Sequence, residues 1–187
     1  GRDASPYAVL EAYDPAQDAW TSKAPMPTAR YDLACVTLQG RLYALGGTAA
    51  SRTAVVEIYD PSADTWTAGT PLPIDRDGFA CCVVRDRIWV YGGNSPPSPS
   101  RAVHVYDPAT GTWMAGPPML SARDDVAGAA VNGNPHVLGG AYSTTVERLE
   151  IDENVPFLKL ETPLPDDTSG AGLVVAGNEL FLVGGNG

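Results

Sequence analysis

Three arginines, Arg30, Arg76 and Arg123, recur 46 and 47 residues apart. A guanidinium is a planar fork of donors that stays charged, so arginines repeated at one pitch can converge on a carboxylate or a phosphate. Carboxylates stand beside them: Asp32, Asp75, Asp77, Asp124 and Asp125 all lie within two residues. Two uses are open from the residues alone. The arginines either form an anion receptor, or act as braces neutralised by these acids or by loop carbonyls. Tyr31, Asn94, Ser95, Arg101 and Tyr142 flank the same segments and are further contact candidates, with burial against a neighbouring element the alternative for the aromatic ones.

Other chemistry finds little support. His104 and His136 are the only imidazoles, too few for a converging copper site, and no Ser-His-Asp or Cys-His grouping can be assembled. No metal and no cofactor is expected, and no residue is assigned a catalytic role. Acid–base work by the arginines and their neighbouring carboxylates is the one enzymatic route the residues leave open. The three cysteines, Cys35, Cys81 and Cys82, make no spaced disulfide framework. Cys35 and Cys81, at equivalent places, read as small core fillers, and the odd, unspaced count favours a reducing, cytoplasmic setting. "NSPPSPS" at 94–100 reads as a long stiff loop, with a proline-rich recognition segment as the alternative.

The composition sets outer bounds. The 187 residues carry 12 Lys and Arg against 22 Asp and Glu, a net charge of −10. Phosphate backbones require clustered positive charge, so nucleic acid and anionic membranes are poor partners. No apolar run reaches the roughly 18 residues of a membrane span. The chain starts at Gly1 with nothing resembling a signal peptide, which reads as a piece of a longer or processed chain. Twenty Gly and 17 Pro predict many tight turns.

Those turns are periodic. Gly pairs fall at Gly46-Gly47, Gly92-Gly93, Gly139-Gly140 and Gly184-Gly185. Trp20, Trp66 and Trp113 each stand 26 residues before the first Gly of a pair, and Tyr13, Tyr59 and Tyr106 seven before each Trp. The arginines follow the Trp positions Trp20, Trp66 and Trp113 by ten residues. The fourth copy is degenerate, with Leu158 and Thr168 at the Trp and Arg places.

Within a copy, Asp14-Pro15, Asp60-Pro61 and Asp107-Pro108 start turns, because Pro presets φ and Asp can cap the amides that follow. Two-residue hairpins are predicted at Gln39-Gly40, Arg85-Asp86, Asn132-Gly133 and Gly177-Asn178. The strands of the first intact copy are predicted near 32–38, 41–46, 54–60 and 65–69. Small residues at Ala34, Ala80, Ala127 and Gly172 put the first strand of each copy innermost, where sheets crowd an axis. A radially repeated four-stranded antiparallel meander is a β-propeller blade.

The double glycines, the spaced Tyr and Trp, the Asp-Pro turns and the segments "PMPTAR", "PLPIDR" and "PMLSAR" together resemble the kelch repeat family. The resemblance covers nearly the whole chain except the degenerate fourth copy. It implies an all-β, kelch-type propeller of four repeats, three intact at about 25–70, 71–117 and 118–162 and one split between 1–24 and 170–187. Closed kelch propellers usually have more blades, and terminal strands commonly complete one. From Gly184 to the end and on to Tyr13 is 16 residues, against 13 and 14 for the same step inside the chain. Three arrangements remain open: part of a longer propeller, a closed four-blade ring, or half of a two-chain assembly.

All length variation falls in the loops 48–53, 94–101 and 141–145, between second and third strands. Variable loops gathered on one face of a repeat array mark a binding face. The resemblance implies peptide binding there, Arg30, Arg76 and Arg123 ringing a channel mouth, and a protein or acidic peptide as partner. It extends to substrate recognition in a ubiquitin-ligase adaptor. The alternatives are a carbohydrate-active or sugar-binding, mutarotase-like protein and a bacterial secreted or surface protein. The Trp residues are expected to wedge between blades.

Overall fold

Asp and Gly at the tips decide where each strand turns. In the computed structural model, which describes residues 5–95, 98–141, 143–150 and 157–185, the side chains of Asp14, Asp60 and Asp107 accept from the amides of Ala16, Ser62 and Ala109 at 2.8–2.9 Å. The same turns need a left-handed residue, and Asp18, Asp64 and Gly111 supply it with φ of 49°, 51° and 67°. Tyr13 and Tyr59 lock two of these turns by donating to Asp18 and Asp64. Left-handed pairs at Gln39-Gly40, Arg85-Asp86 and Asn132-Gly133 close the other hairpins, the geometry that matches strand twist.

Strands β1 (Glu11–Asp14) and β2 (Ala19–Ser22) form a two-stranded sheet. Three four-stranded meanders follow. The first holds β3 (Ala34–Leu38), β4 (Arg41–Leu45), β5 (Val56–Asp60) and β6 (Thr65–Ala68). The second holds β7 (Ala80–Val84), β8 (Arg87–Tyr91), β9 (Val103–Asp107) and β10 (Thr112–Ala115). The third holds β11 (Ala127–Val131), β12 (Asn134–Leu138), β13 (Val146–Glu150) and β14 (Phe157–Leu160). A last hairpin joins β15 (Gly172–Ala176) to β16 (Glu179–Val183). The strands begin and end within two residues of the predicted ones in the first intact copy.

Strands β3, β7, β11 and β15 pack on one another in turn, so the first strand of each blade lies innermost. The small residues there have a visible cause: a Cβ added at Gly128 on β11 would come 2.7 Å from Ala80 on β7. Between the blades lie two apolar layers. Leu38, Tyr43, Leu45, Phe79, Ile88 and Val90 fill the first, and Cys82, Trp89, Tyr91, Val126 and Val137 the second.

Each outer strand is tied back along the chain. The indole of Trp66 donates to Ala24 O at 2.8 Å, and that of Trp113 to Thr70 O at 3.0 Å, so both act as wedges at the outer rim. Trp20 instead stays 68% exposed, because no described sheet lies on its far side. Of the two cysteines expected as core fillers, Cys81 is half-buried and Cys35 on β3 is exposed, while Cys82 is buried.

Of the arrangements left open, a blade shared between the two ends is not formed in this structure: β1–β2 and β15–β16 are two separate sheets. Tyr7 and Val9 ahead of β1, and Val174 and Val183 on β15 and β16, expose apolar surface.

The tightest backbone approach is at the Gly pairs. At Gly92, with φ of 61°, an added Cβ would lie 2.6 Å from Arg123 O and 2.7 Å from Met119 Cε, both in the next blade. At Gly111, with φ of 67°, it would meet nothing within 4 Å. Gly92→Ala should therefore cost about 3 kcal/mol or more in urea unfolding, from overpacking added to left-handed strain. Gly111→Ala should cost only the strain, about 1 kcal/mol.

Candidate functional site

The guanidinium groups do not face a channel mouth. Arg30, Arg76 and Arg123 are 2%, 0% and 4% exposed, each folded into its own blade. Arg30 Nη1 donates to Gly46 O at 2.7 Å and Val55 O at 2.9 Å. Arg123 Nη1 donates to Gly139 O at 2.6 Å and Thr145 O at 2.9 Å. Arg76 Nη1 reaches Gly92 O at 3.0 Å and Ala102 O at 3.5 Å. In every blade the acceptors are the first Gly of the pair and a residue just ahead of the third strand. The glycine carbonyl lies where the chain leaves the second strand for a loop, and the arginine side chain supplies its donor; the other carbonyl also accepts from the amide of that same glycine, at 2.9, 3.1 and 3.0 Å for Val55, Ala102 and Thr145.

The second arm of each fork shows what neutralises it. Arg30 Nη2 donates to Glu57 Oε2 at 2.8 Å, and Arg123 Nη2 to Glu147 Oε1 at 2.8 Å. Both carboxylates are buried and further held, Glu57 by the Thr28 hydroxyl at 2.7 Å and Glu147 by the Leu120 amide at 2.8 Å. The flanking aspartates are therefore not the principal counter-charges. The expectation of an anion receptor made from these three arginines is corrected: their forks are engaged internally and out of reach of solvent. Sequence reasoning missed the partners. The signal was available, because Glu57, His104 and Glu147 share one place in the repeat, each directly after the valine that opens the third strand.

Arg76 departs from the pattern. Its Nη2 lies 2.8 Å from His104 Nδ1, where the other blades have a carboxylate. Arginine can only donate, so Nδ1 is the acceptor and the ring proton sits on Nε2. Burial, reinforced by the adjacent Arg76 charge, pushes the His104 pKa down to about 4. Burial likewise lowers Arg76 to about 10. Blade 71–117 thus buries a positive charge opposite a neutral ring.

The remaining candidates sit on the loop side of these braces. Tyr31 is half-buried, and its backbone pairs with Thr48 in both directions at 2.8 and 3.0 Å. Asn94 is half-buried: its amide donates to Asp77 O at 2.8 Å, and its Oδ1 accepts from Ser98 Oγ at 2.6 Å. Ser95 is fully buried, so it is not a surface contact. Arg101 is exposed. Tyr142 lies outside the described residues. Thr48 Oγ1 donates to Asp77 Oδ2 at 2.6 Å, tying one blade's loop to the next blade's entry. His104 and His136 do not converge with cysteines or acids, and among the described residues no group of three or more His, Cys, Asp or Glu could hold a metal.

Comparisons with known proteins agree with this architecture. The kelch motif matches residues 29–73 and 75–120. No curated protein matches. Among solved structures, that of YjhT superposes with a TM-score of 0.82 at 16% identity, over 96% of this chain and 72% of that one. At that identity the likeness concerns the fold.

Removing the Arg123 guanidinium would strand the Glu147 charge and take the side-chain donor from the Gly139 carbonyl inside the blade. Arg123→Ala should cost about 3–5 kcal/mol in equilibrium unfolding, an effect that exposed arginines do not give. His104 makes an opposite demand on pH. Its folded pKa of about 4 lies below the ordinary 6.5. The unfolded chain therefore takes up a proton first, and the stability that neutral His104 contributes is full above pH 6.5 and is lost as pH falls toward 4. The stability difference between the protein and His104→Gln, followed by urea unfolding, should change across that window and be flat above it.

Proposed function

We propose that this chain, which belongs to the kelch repeat family, is a non-enzymatic binding module that presents the loop face of its propeller to a protein or peptide. One observation carries the reading. The spacings inside the intact blades are constant and each blade carries a buried arginine brace, whereas the chain varies in length only at 48–53, 94–101 and 141–145, the loops those braces anchor. Rigid supports beneath variable loops are the arrangement of a recognition surface. Substrate recognition for a ubiquitin-ligase adaptor is one assembly such a module serves.

The charge logic of the partner changes with the geometry. Arg30, Arg76 and Arg123 hold the loops in place and offer no donors to a ligand. The accessible groups on this face are Tyr31, Asn94 and Arg101, with an exposed cation only at Arg101 among the three. Affinity on such a face comes from a few anchoring side chains.

Panning a random heptapeptide display library on the immobilised protein tests the reading. Enriched peptides should lose at least about tenfold in affinity to the combined Tyr31→Ala, Asn94→Ala and Arg101→Ala variant. Ala63→Glu and Ala109→Glu, on the opposite hairpins, should leave binding unchanged. Enrichment that maps to the opposite hairpins, an absence of enriched sequences, or turnover in a sugar-epimerisation assay would overturn it.

A further inference from the structure

On the loop face, between the blades 71–117 and 118–162, a groove of about 450 Å³ runs beside the longest variable loop. One wall is the chain 99–102, the other is formed by Ile74, Pro118 and Ala122 from the linkers that enter the two blades. The walls are apolar except for Ser100 and Arg101, and Pro99 and Pro118 have no amide to donate. A peptide strand cannot extend a sheet along those prolines, so recognition there falls to side chains packing on aliphatic surface.

The groove is pre-formed. Ser100 N donates to Gly93 O at 2.9 Å, closing the loop on itself. Arg123 N donates to Ser100 O at 3.1 Å and Met119 N to Arg101 O at 2.8 Å, pinning the loop to the linker of the next blade. The Ser100 hydroxyl accepts from Ala102 N at 3.1 Å. With the main chain held at each of these points, the Arg101 side chain is left exposed at the rim.

Its charge is the second observation. Arg30, Arg41, Arg87, Arg123 and Arg148 all form ion pairs, in a chain where acids outnumber bases. Arg101 makes no ion pair among the described residues. The places equivalent to Arg101 in the neighbouring blades, read from the linker amides that donate to Ala54 O and Thr144 O, carry no charge. This cation therefore does no job that the repeat requires.

We propose that this inter-blade groove binds an extended peptide segment with apolar residues flanking one carboxylate, the apolar residues lying on Ile74, Pro118 and Ala122 and the carboxylate pairing with Arg101. The proposal rests on the loop-face reading and adds to it the place and the chemistry of the ligand. A volume of this size suits a few side chains, in the range of small ligand sites.

Degenerate heptapeptide libraries with a fixed central Glu, Gln or Lys, passed over the immobilised protein, give the test. The Glu library should be retained at least about tenfold better than the other two, with Pro and aliphatic residues enriched beside the Glu. Arg101→Glu should shift retention to the Lys library, and Ala122→Trp, which fills the groove from an exposed position, should abolish it. Thermal unfolding of both variants, measured in parallel, should match the unaltered protein. Equal retention of the three libraries, or no retention, overturns the proposal. If the Glu peptides persist on Arg101→Glu and Ala122→Trp, the groove assignment falls. The loop-face reading then stands or falls on whether Tyr31→Ala and Asn94→Ala remove them.

Discussion

The fold depends on one repeated exchange between a guanidinium and a glycine pair. Arg30 donates from its side chain to Gly46 O, Gly47 N donates to Arg76 O, Arg76 donates to Gly92 O, Gly93 N donates to Arg123 O, and Arg123 donates to Gly139 O. The side-chain step closes a blade on itself, and the backbone step ties that blade to the next. Glycine is required where these steps meet, since a Cβ would strike the neighbouring blade's carbonyl. A buried charge at each node is tolerable because both Nη atoms of the fork are engaged, by two carbonyls and a carboxylate in two of the three blades. Such sites add less to net stability than to uniqueness of geometry, because desolvating the ions offsets much of their attraction.

That economy explains which parts were legible in the sequence. Turn chemistry is local: an Asp, a Pro or a left-handed Gly declares its conformation without help from distant residues, so the repeat frame, strand limits and innermost strands follow from spacing alone. The direction of the arginine side chains is not local. Position placed them at the loop end of each blade, but whether they face solvent or the blade depends on Glu57 and Glu147, some 25 residues away on the third strands. Closure of the ring was equally hidden. Linker length says that β1–β2 and β15–β16 can be joined, but it carries no information on whether the two pairs share a sheet, and here they do not.

Blade 71–117 is where scaffold and surface part company. It alone pairs its brace with a neutral imidazole, has the longest variable loop, and holds an arginine at a rim position that is Ala54 and Thr144 elsewhere. The brace still forms because Nδ1 of a neutral ring accepts as a carboxylate oxygen does. What it lacks is a carboxylate on the second arm of the fork, so this blade's loop anchor is the one built on a ring that takes up a proton in the acid range.

The degenerate copy shows which half of the exchange is indispensable. Thr168 has no guanidinium, yet Gly140 N still donates to Thr168 O at 2.8 Å. The backbone step needs only a chain passing at the right distance, so it outlives loss of the side chain. At Gly184 an added Cβ would meet nothing within 4 Å, since none of the described residues presses on it. The left-handed glycine there keeps the turn but not the close approach that makes glycine obligatory at Gly92. Blade-to-blade contact and the arginine brace are therefore separable: the first is set by backbone and can be extended by any strand pair with the same turn, and the second is added where a loop must be held still.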